Sequence, residues 1–224
     1  RKESSAASDV YKRQQHYWHS VSSRKKSDGR HTIYKKFLRM DTMIDNNKKL
    51  SVNLIKKFSA GELQELCKAT EEAITAGIGF SWIKPPPRKN LENYWKGVLA
   101  MPQRNLFIGS FEGAVAASLQ LVFPNRSNEA SSFSATIDTH FVSPWARGHG
   151  LARKLLEGGE GLAFKKGFSQ ILLEVRETQE RAISLYESSG YIKWGALPAY
   201  HIVNEKVVSG SYYYKRLESK KVIV

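Results

Sequence analysis

The chain has 224 residues, 41% of them apolar and 25% charged, with 35 Lys and Arg against 21 Asp and Glu for a formal net charge of +14. One cysteine, Cys67, excludes an internal disulfide and a cysteine-rich metal site. The apolar runs fall far short of the roughly 20 residues that a membrane-spanning helix needs, and no secretory signal is legible, so a cytoplasmic setting without a membrane partner is expected.

The positive charge is unevenly spread: residues 1–50 hold 13 Lys and Arg against 5 Asp and Glu. Such a polar segment cannot bury enough apolar surface to fold alone. A basic arm on nucleic acid is one reading, but a disordered leader over residues 1–42 is preferred and a nucleic-acid partner is not expected. Within it "SAASDVYKRQ" resembles translated sequencing-adaptor read-through, which would move the natural start to Met40 or Met43. Residues 50–217 read as a single domain and 218–224 as a short tail.

From residue 50 the patterning becomes regular. "LSVNLIKKF" reads as a strand. "SAGELQELCKATEEAITAG" places Leu63, Leu66, Cys67 and Ile74 on one helical stripe, with Ser59 as cap and Gly77 as stop. Pro85, Pro86 and Pro87 force an extended loop. Helical spacing resumes at Leu91, Tyr94, Trp95, Val98 and Leu99. "NLFIGSF" and "AVAASLQLVF" form a hairpin turning at Glu112-Gly113. "FSATIDTHFVS" is a further strand, ended by Pro144. "GLARKLLEGGEGLAFKKG" reads as a helix with Leu151, Leu155, Leu162 and Phe164 apolar, weakened by Gly158, Gly159 and Gly161 at about 1 kcal/mol each relative to Ala. Then come the strand "SQILLEV", the helix "TQERAISLYESSG" and two closing strands, "YIKWGALP" and "SYYYKRL". The order β α α β β β α β α β β is mixed rather than alternating.

The stretch "PWARGHGLARKLL" joins a strand to a helix through two glycines. Helices ordinarily start with Ser, Thr, Asp or Asn, whereas glycine suits a place that something approaches closely. Free N–H groups and partial positive charge at a helix start hold anions, so a phosphate-bearing ligand is expected over Gly148 and Gly150. A P-loop would need a Lys followed by Ser or Thr, and a dinucleotide-binding G-x-G-x-x-G would need glycine where Arg153 stands.

The pattern that fits is R-x-x-G-x-A, spelled by Arg147, Gly148, His149, Gly150, Leu151 and Ala152. It resembles the pyrophosphate-binding motif of the GNAT family of N-acetyltransferases. "LEVRETQERAISLYESSGY" (173–191) is similar to that family's following unit, L-E-V-R-x-x-N-x-x-A-I-x-L-Y-x-x-x-G-F. The element order matches over residues 50–217, although only the stretch from about 137 to 191 is specific to the family.

The resemblance implies an α+β fold with a mixed, mostly antiparallel central sheet flanked by helices in three α/β/α layers. It implies acetyl-CoA as cosubstrate and no metal. The amides from Arg147 to Arg153 would carry the pyrophosphate, with the Arg147 and Arg153 side chains either meeting phosphate or simply solvated. His149 reads as a turn residue. The backbone of Phe141 and Val142 would pair with the pantetheine arm, and the Val142 N–H would polarise the thioester carbonyl. Gln179 stands where the family has Asn, one methylene longer.

Tyr186 occupies the family's tyrosine position and would protonate the departing thiolate; its plain alternative is a core aromatic. Glu174 is the base candidate, raised by burial toward a useful pKa; its alternative is an ion pair with Arg176 or Arg181. Asp138 and His140, two apart on one strand face, are other proton acceptors, since the family's glutamate near Thr136 is missing. Phe80, Trp82, Tyr200 and His201 would flank the acceptor. The expected activity is direct acetyl transfer to a primary amine of a small molecule, by a monomer or homodimer. The rival readings are a protein N-terminal (ribosomal-protein-type) acetyltransferase acting on a peptide N-terminus, and a non-catalytic CoA-binding regulatory module.

Overall fold

The computed structural model describes residues 50–77, 80–125 and 127–217. The leader expected over 1–42 and the tail over 218–224 lie outside the described residues. In chain order the elements are β1 (Leu50–Ile55), α1 (Glu62–Thr75), α2 (Arg88–Ala100), β2 (Arg104–Phe111), β3 (Ala114–Val122), β4 (Ser134–Val142), a 3-10 turn (Pro144–Ala146), α3 (Leu151–Lys165), β5 (Gln170–Arg176), α4 (Glu180–Ser188), β6 (Ile192–Val203) and β7 (Lys206–Arg216). No helix among the described residues is long and apolar enough to cross a membrane.

The strands form one sheet in the order β1-β2-β3-β4-β5-β7-β6, antiparallel except between β4 and β5. Alternation along the strands gives the sheet two apolar faces. One packs against α1 and α2, where Leu66, Leu91 and Trp95 are fully buried beside Phe141. The other packs against α3 and α4, through Leu151, Leu155, Leu156 and Tyr186. These are the three layers and the mixed sheet that the sequence implied.

Two local expectations change. Ser59 is not the cap of α1. Gly61, at φ 86°, holds that position without a side-chain bond, while the Ser59 N–H donates to Glu62 Oε2 at 2.7 Å. The glycines of α3 are contact points rather than flaws. A Cβ on Gly159 would lie 3.0 Å from Leu119 Cδ2, and one on Gly158 would lie 3.4 Å from the Phe107 ring. Their bare backbone lets α3 settle onto β2 and β3. Phe164, at the outer edge of the same helix, is 46% exposed instead of joining the stripe.

The sheet parts down the middle. β4 and β5 pair only between Ser134–Thr136 and Gln170–Leu172, so the rest of β4 up to Val142 faces no strand on that side. Here β4 also bulges. Ser118 pairs with Phe141 and Gln120 with Asp138, which sets Thr139 and His140 together against Leu119. Thr139 takes φ 49°, a left-handed value that a β-branched residue adopts only under constraint. The extra residue reverses the alternation. Ile137 and Val142 turn to the α3–α4 side, and Phe141 to the α1–α2 side.

Candidate active site

The glycine turn sits at the open end of this parting. Gly148 and Gly150 have φ 81° and 88°, a conformation other residues rarely adopt, and a Cβ on either would meet nothing within 4 Å. The Arg147 N–H reaches the Pro144 carbonyl at 3.4 Å, and Lys154 N–H opens the helical ladder to Gly150. From Gly148 through Arg153 no backbone N–H makes a hydrogen bond among the described residues. These donors converge at a helix start, the arrangement that holds phosphate.

Arg147 adds a cation. Its Nε donates to the Val142 carbonyl at 3.2 Å, folding the guanidinium over the end of β4, while its buried Nη2 has no partner. Burial lowers its pKa, with the charge of Arg181 adding to the effect. An orphaned cationic donor and a row of free amides fit the pyrophosphate of a coenzyme. Arg153 is turned away, donating to Ser188 Oγ at 2.9 Å and Ser189 Oγ at 3.2 Å, which clamps α3 to α4. His149 stacks on Phe111, with ring centroids 4.2 Å apart. A cleft of about 430 Å³ beside the turn is lined by Glu71 and Glu72 with Pro144 and Trp145; its carboxylates make it the wrong place for phosphate.

Tyr186 is buried, with its hydroxyl 3.1 Å from His140 Nδ1. The other ring nitrogen, Nε2, lies 3.1 Å from the Ala152 carbonyl. A carbonyl only accepts, so Nε2 carries the proton, Nδ1 accepts, and the Tyr186 hydroxyl donates to it. Burial holds the imidazole neutral by pushing its pKa down to about 4, and raises that of Tyr186. The bulge explains why the expected sharing of one face by Asp138 and His140 fails. His140 turns to the Tyr186 side, and Asp138 to the α1–α2 side.

On that second side Asp138 is tied to Arg104 at 2.7 Å and accepts the Thr139 hydroxyl at 3.0 Å. Arg104 also donates to Gln120, whose Nε2 donates to the Tyr94 hydroxyl at 2.9 Å. Tyr94 edges onto Trp82, and Trp82 stacks near Phe80, whose ring meets Phe141 at 5.1 Å. Phe80 is therefore core, and Trp82 is half-buried beside it. The polar chain Arg104–Asp138–Thr139–Tyr94–Gln120 escaped the sequence because its members are dispersed over three strands and a helix.

Glu174 is exposed, contrary to the burial expected inside "ILLEV". β5 is unpaired on its β4 side here, so the Glu174 face opens outward. The Tyr200 pKa is raised first by burial and then by the nearby Glu174 carboxylate. Two sequence-distant candidates thus meet. Arg176, two residues on, is buried and donates through Nη2 to the Phe80 carbonyl. The side-chain amide of Gln179 donates to the Gly77 carbonyl at 2.9 Å, so that donor secures the end of α1 rather than facing the turn. Among the described residues no group of three or more His, Cys, Asp or Glu gathers in a way that could hold a metal.

Residues 67–191 match the model of the acetyltransferase (GNAT) family. An N-acetyltransferase of the hisH-hisA intergenic region in Azospirillum brasilense is 49% identical over 132 residues, 59% of this chain and 79% of that protein. The chain belongs to the GNAT family. Its fold is similar to that of an N-acetyltransferase from Staphylococcus aureus Mu50, with a TM-score of 0.65 at 16% identity over 75% of this chain and 99% of the other. It is also similar to yncA, a putative acetyltransferase from Salmonella typhimurium solved with acetyl-CoA, with a TM-score of 0.62 at 13% identity over 77% and 96% of the two chains. As a GNAT member the protein is an acetyl-CoA-dependent N-acetyltransferase.

Proposed function

We propose that the protein transfers the acetyl group directly to the primary amine of a small molecule. The observation that supports direct acetyl transfer to an amine is the parting of β4 from β5 after Thr136 and Leu172, with free amides at one end and Glu174 on the facing strand. Acetyl-CoA, when bound, supplies an activated carbonyl and a thiolate leaving group. The amides from Gly148 to Arg153, together with Arg147, hold its pyrophosphate. The backbone of Phe141 and Val142, unpaired toward β5, aligns the pantetheine arm in the manner of an added strand.

Glu174 takes a proton from the acceptor ammonium, leaving a neutral amine whose nitrogen bonds to the carbonyl carbon as the carbon–sulfur bond breaks, and the second nitrogen proton of the adduct passes to solvent to leave the amide. Tyr186 gives its hydroxyl proton to the departing sulfur. In the free protein that proton points at His140, so the hydroxyl swings from Nδ1 to sulfur during the step and then regains a proton from solvent. A ternary complex suits this chemistry, because Cys67 is fully buried in α1 and cannot carry an acyl group.

The test is a panel of small primary amines and of peptides, scored for release of the CoA thiol. Turnover of free small amines at rates above those of peptides supports the reading. Turnover confined to peptide N-termini overturns the small-molecule acceptor, and absence of turnover with every amine overturns catalysis.

A further inference from the structure

Arg176 is 7% exposed, yet the one hydrogen bond of its side chain goes to a neutral acceptor, the Phe80 carbonyl. No carboxylate lies within ion-pair distance of it among the described residues. A cation withdrawn from water without a counter-ion is costly, and a fold gains nothing by keeping one. Beside it, His201 has a buried Nδ1 with no partner, and its pKa is lowered first by burial and then by the Arg176 charge, with Glu174 acting in the opposite direction.

The backbone is shaped around this spot. Arg176 pairs in register with Gly210 of β7, and the Tyr200 ring lies directly on that glycine. A Cβ at position 210 would fall 2.3 Å from the ring. The pairing of β6 with β7 is interrupted between Leu197 and His201, which delivers Tyr200 and His201 to the end of β5.

The geometry points to an anion subsite, built from Arg176 and His201, that receives the carboxylate of an α-amino acid acceptor. This rests on the reading of Glu174 as the group that meets the acceptor amine. Glu174 and Arg176 are same-face neighbours on a regular strand, about 6.6–6.8 Å apart along it. An α-amino acid bridges that span with its ammonium on Glu174 and its carboxylate on Arg176. The opposite charges of the two residues fix its direction.

The experiment compares thiol release with free L-amino acids and with their carboxamides, which keep the amine and lose the anion. In parallel, N-acetylglycine and N-acetylglycinamide are titrated calorimetrically as product-like probes. The expected result is at least a tenfold preference for the free acid in both measurements. Arg176→Gln should collapse that preference to within twofold, with a Tm no lower than the parent's because an unpaired buried charge has been removed. Turnover without preference for the free acid overturns the subsite while acetyl transfer stands. Equal or absent binding of the two probes overturns it irrespective of turnover. A lower Tm for Arg176→Gln with the preference intact assigns Arg176 a structural role and overturns it too. Thiol release from no amine at all refutes the transfer reading, and the probe titration then decides the subsite by itself.

Discussion

The Tyr186 hydroxyl donates to Nδ1 of His140 across 3.1 Å, because the Ala152 carbonyl fixes the proton on Nε2. Three elements meet in that chain: α4 supplies the tyrosine, the β4 bulge the histidine and the first turn of α3 the carbonyl. The pair is neutral at physiological pH. Behind Tyr186 stands Tyr191, with ring centroids 5.8 Å apart, and behind that Glu160 and Lys215, which pair at 2.6 Å.

His140 makes stability depend on pH. Its folded pKa of about 4 lies below the value of about 6.5 in an unfolded chain. Between those values the unfolded state binds more protons, so stability is full above about pH 6.5 and is lost as pH falls toward 4. The loss is at most about 3 kcal/mol, and His140→Phe removes this component of the slope. Urea unfolding at pH 7, 5.5 and 4.5 measures it; parallel profiles for parent and variant contradict the assignment.

Tyr186→Phe keeps the ring packing and deletes the proton. A fall in kcat of about a hundredfold to ten-thousandfold is expected, with the Kd for acetyl-CoA nearly unchanged. His140→Asn places an amide oxygen near the Nδ1 position and should retain more activity than His140→Phe. Steady-state kinetics on the three variants is the measurement, and a fully active Tyr186→Phe removes the tyrosine from the step.

Gly150→Val forces a β-branched residue to φ 88° and puts its bulk where phosphate approaches. The Kd for acetyl-CoA should rise at least tenfold. Calorimetric titration reports it, and an unchanged Kd means the coenzyme is held elsewhere.

Gly159→Val drives methyl groups into Leu119, whose side chain is fully buried. Destabilisation of about 1–3 kcal/mol is expected despite the better helix propensity of the new residue. Chemical denaturation checks it; a more stable variant would show that α3 can move off the sheet.

The order of strands and helices was legible because it rests on period-two and period-3.6 patterning, which neighbours in sequence specify. The glycine turn was legible for a similar reason: strand, Gly-x-Gly and amphipathic helix are contiguous. What failed depended on distant partners. The run "ATIDTHFV" alternates without interruption, so nothing in it announces the bulge at Thr139 that sends Asp138 and His140 to opposite faces. Glu174 sits in an apolar run that suggests burial, but the parting of β4 from β5 exposes it. Arg176 and the Phe80 carbonyl are 96 positions apart, and the Tyr200 ring needs the bare backbone of Gly210, a relationship that no local pattern contains. Ser59 has the right chemistry for a cap, and Gly61 displaces it because the chain enters α1 through a left-handed residue.

Amide hydrogen exchange with and without acetyl-CoA tests most directly whether main-chain donors at the parted strands hold the coenzyme. Slowed exchange from Gly148 to Arg153 and along Phe141–Val142 is the predicted result. Saturating acetyl-CoA that leaves those amides exchanging as before, with protection appearing elsewhere, would contradict it.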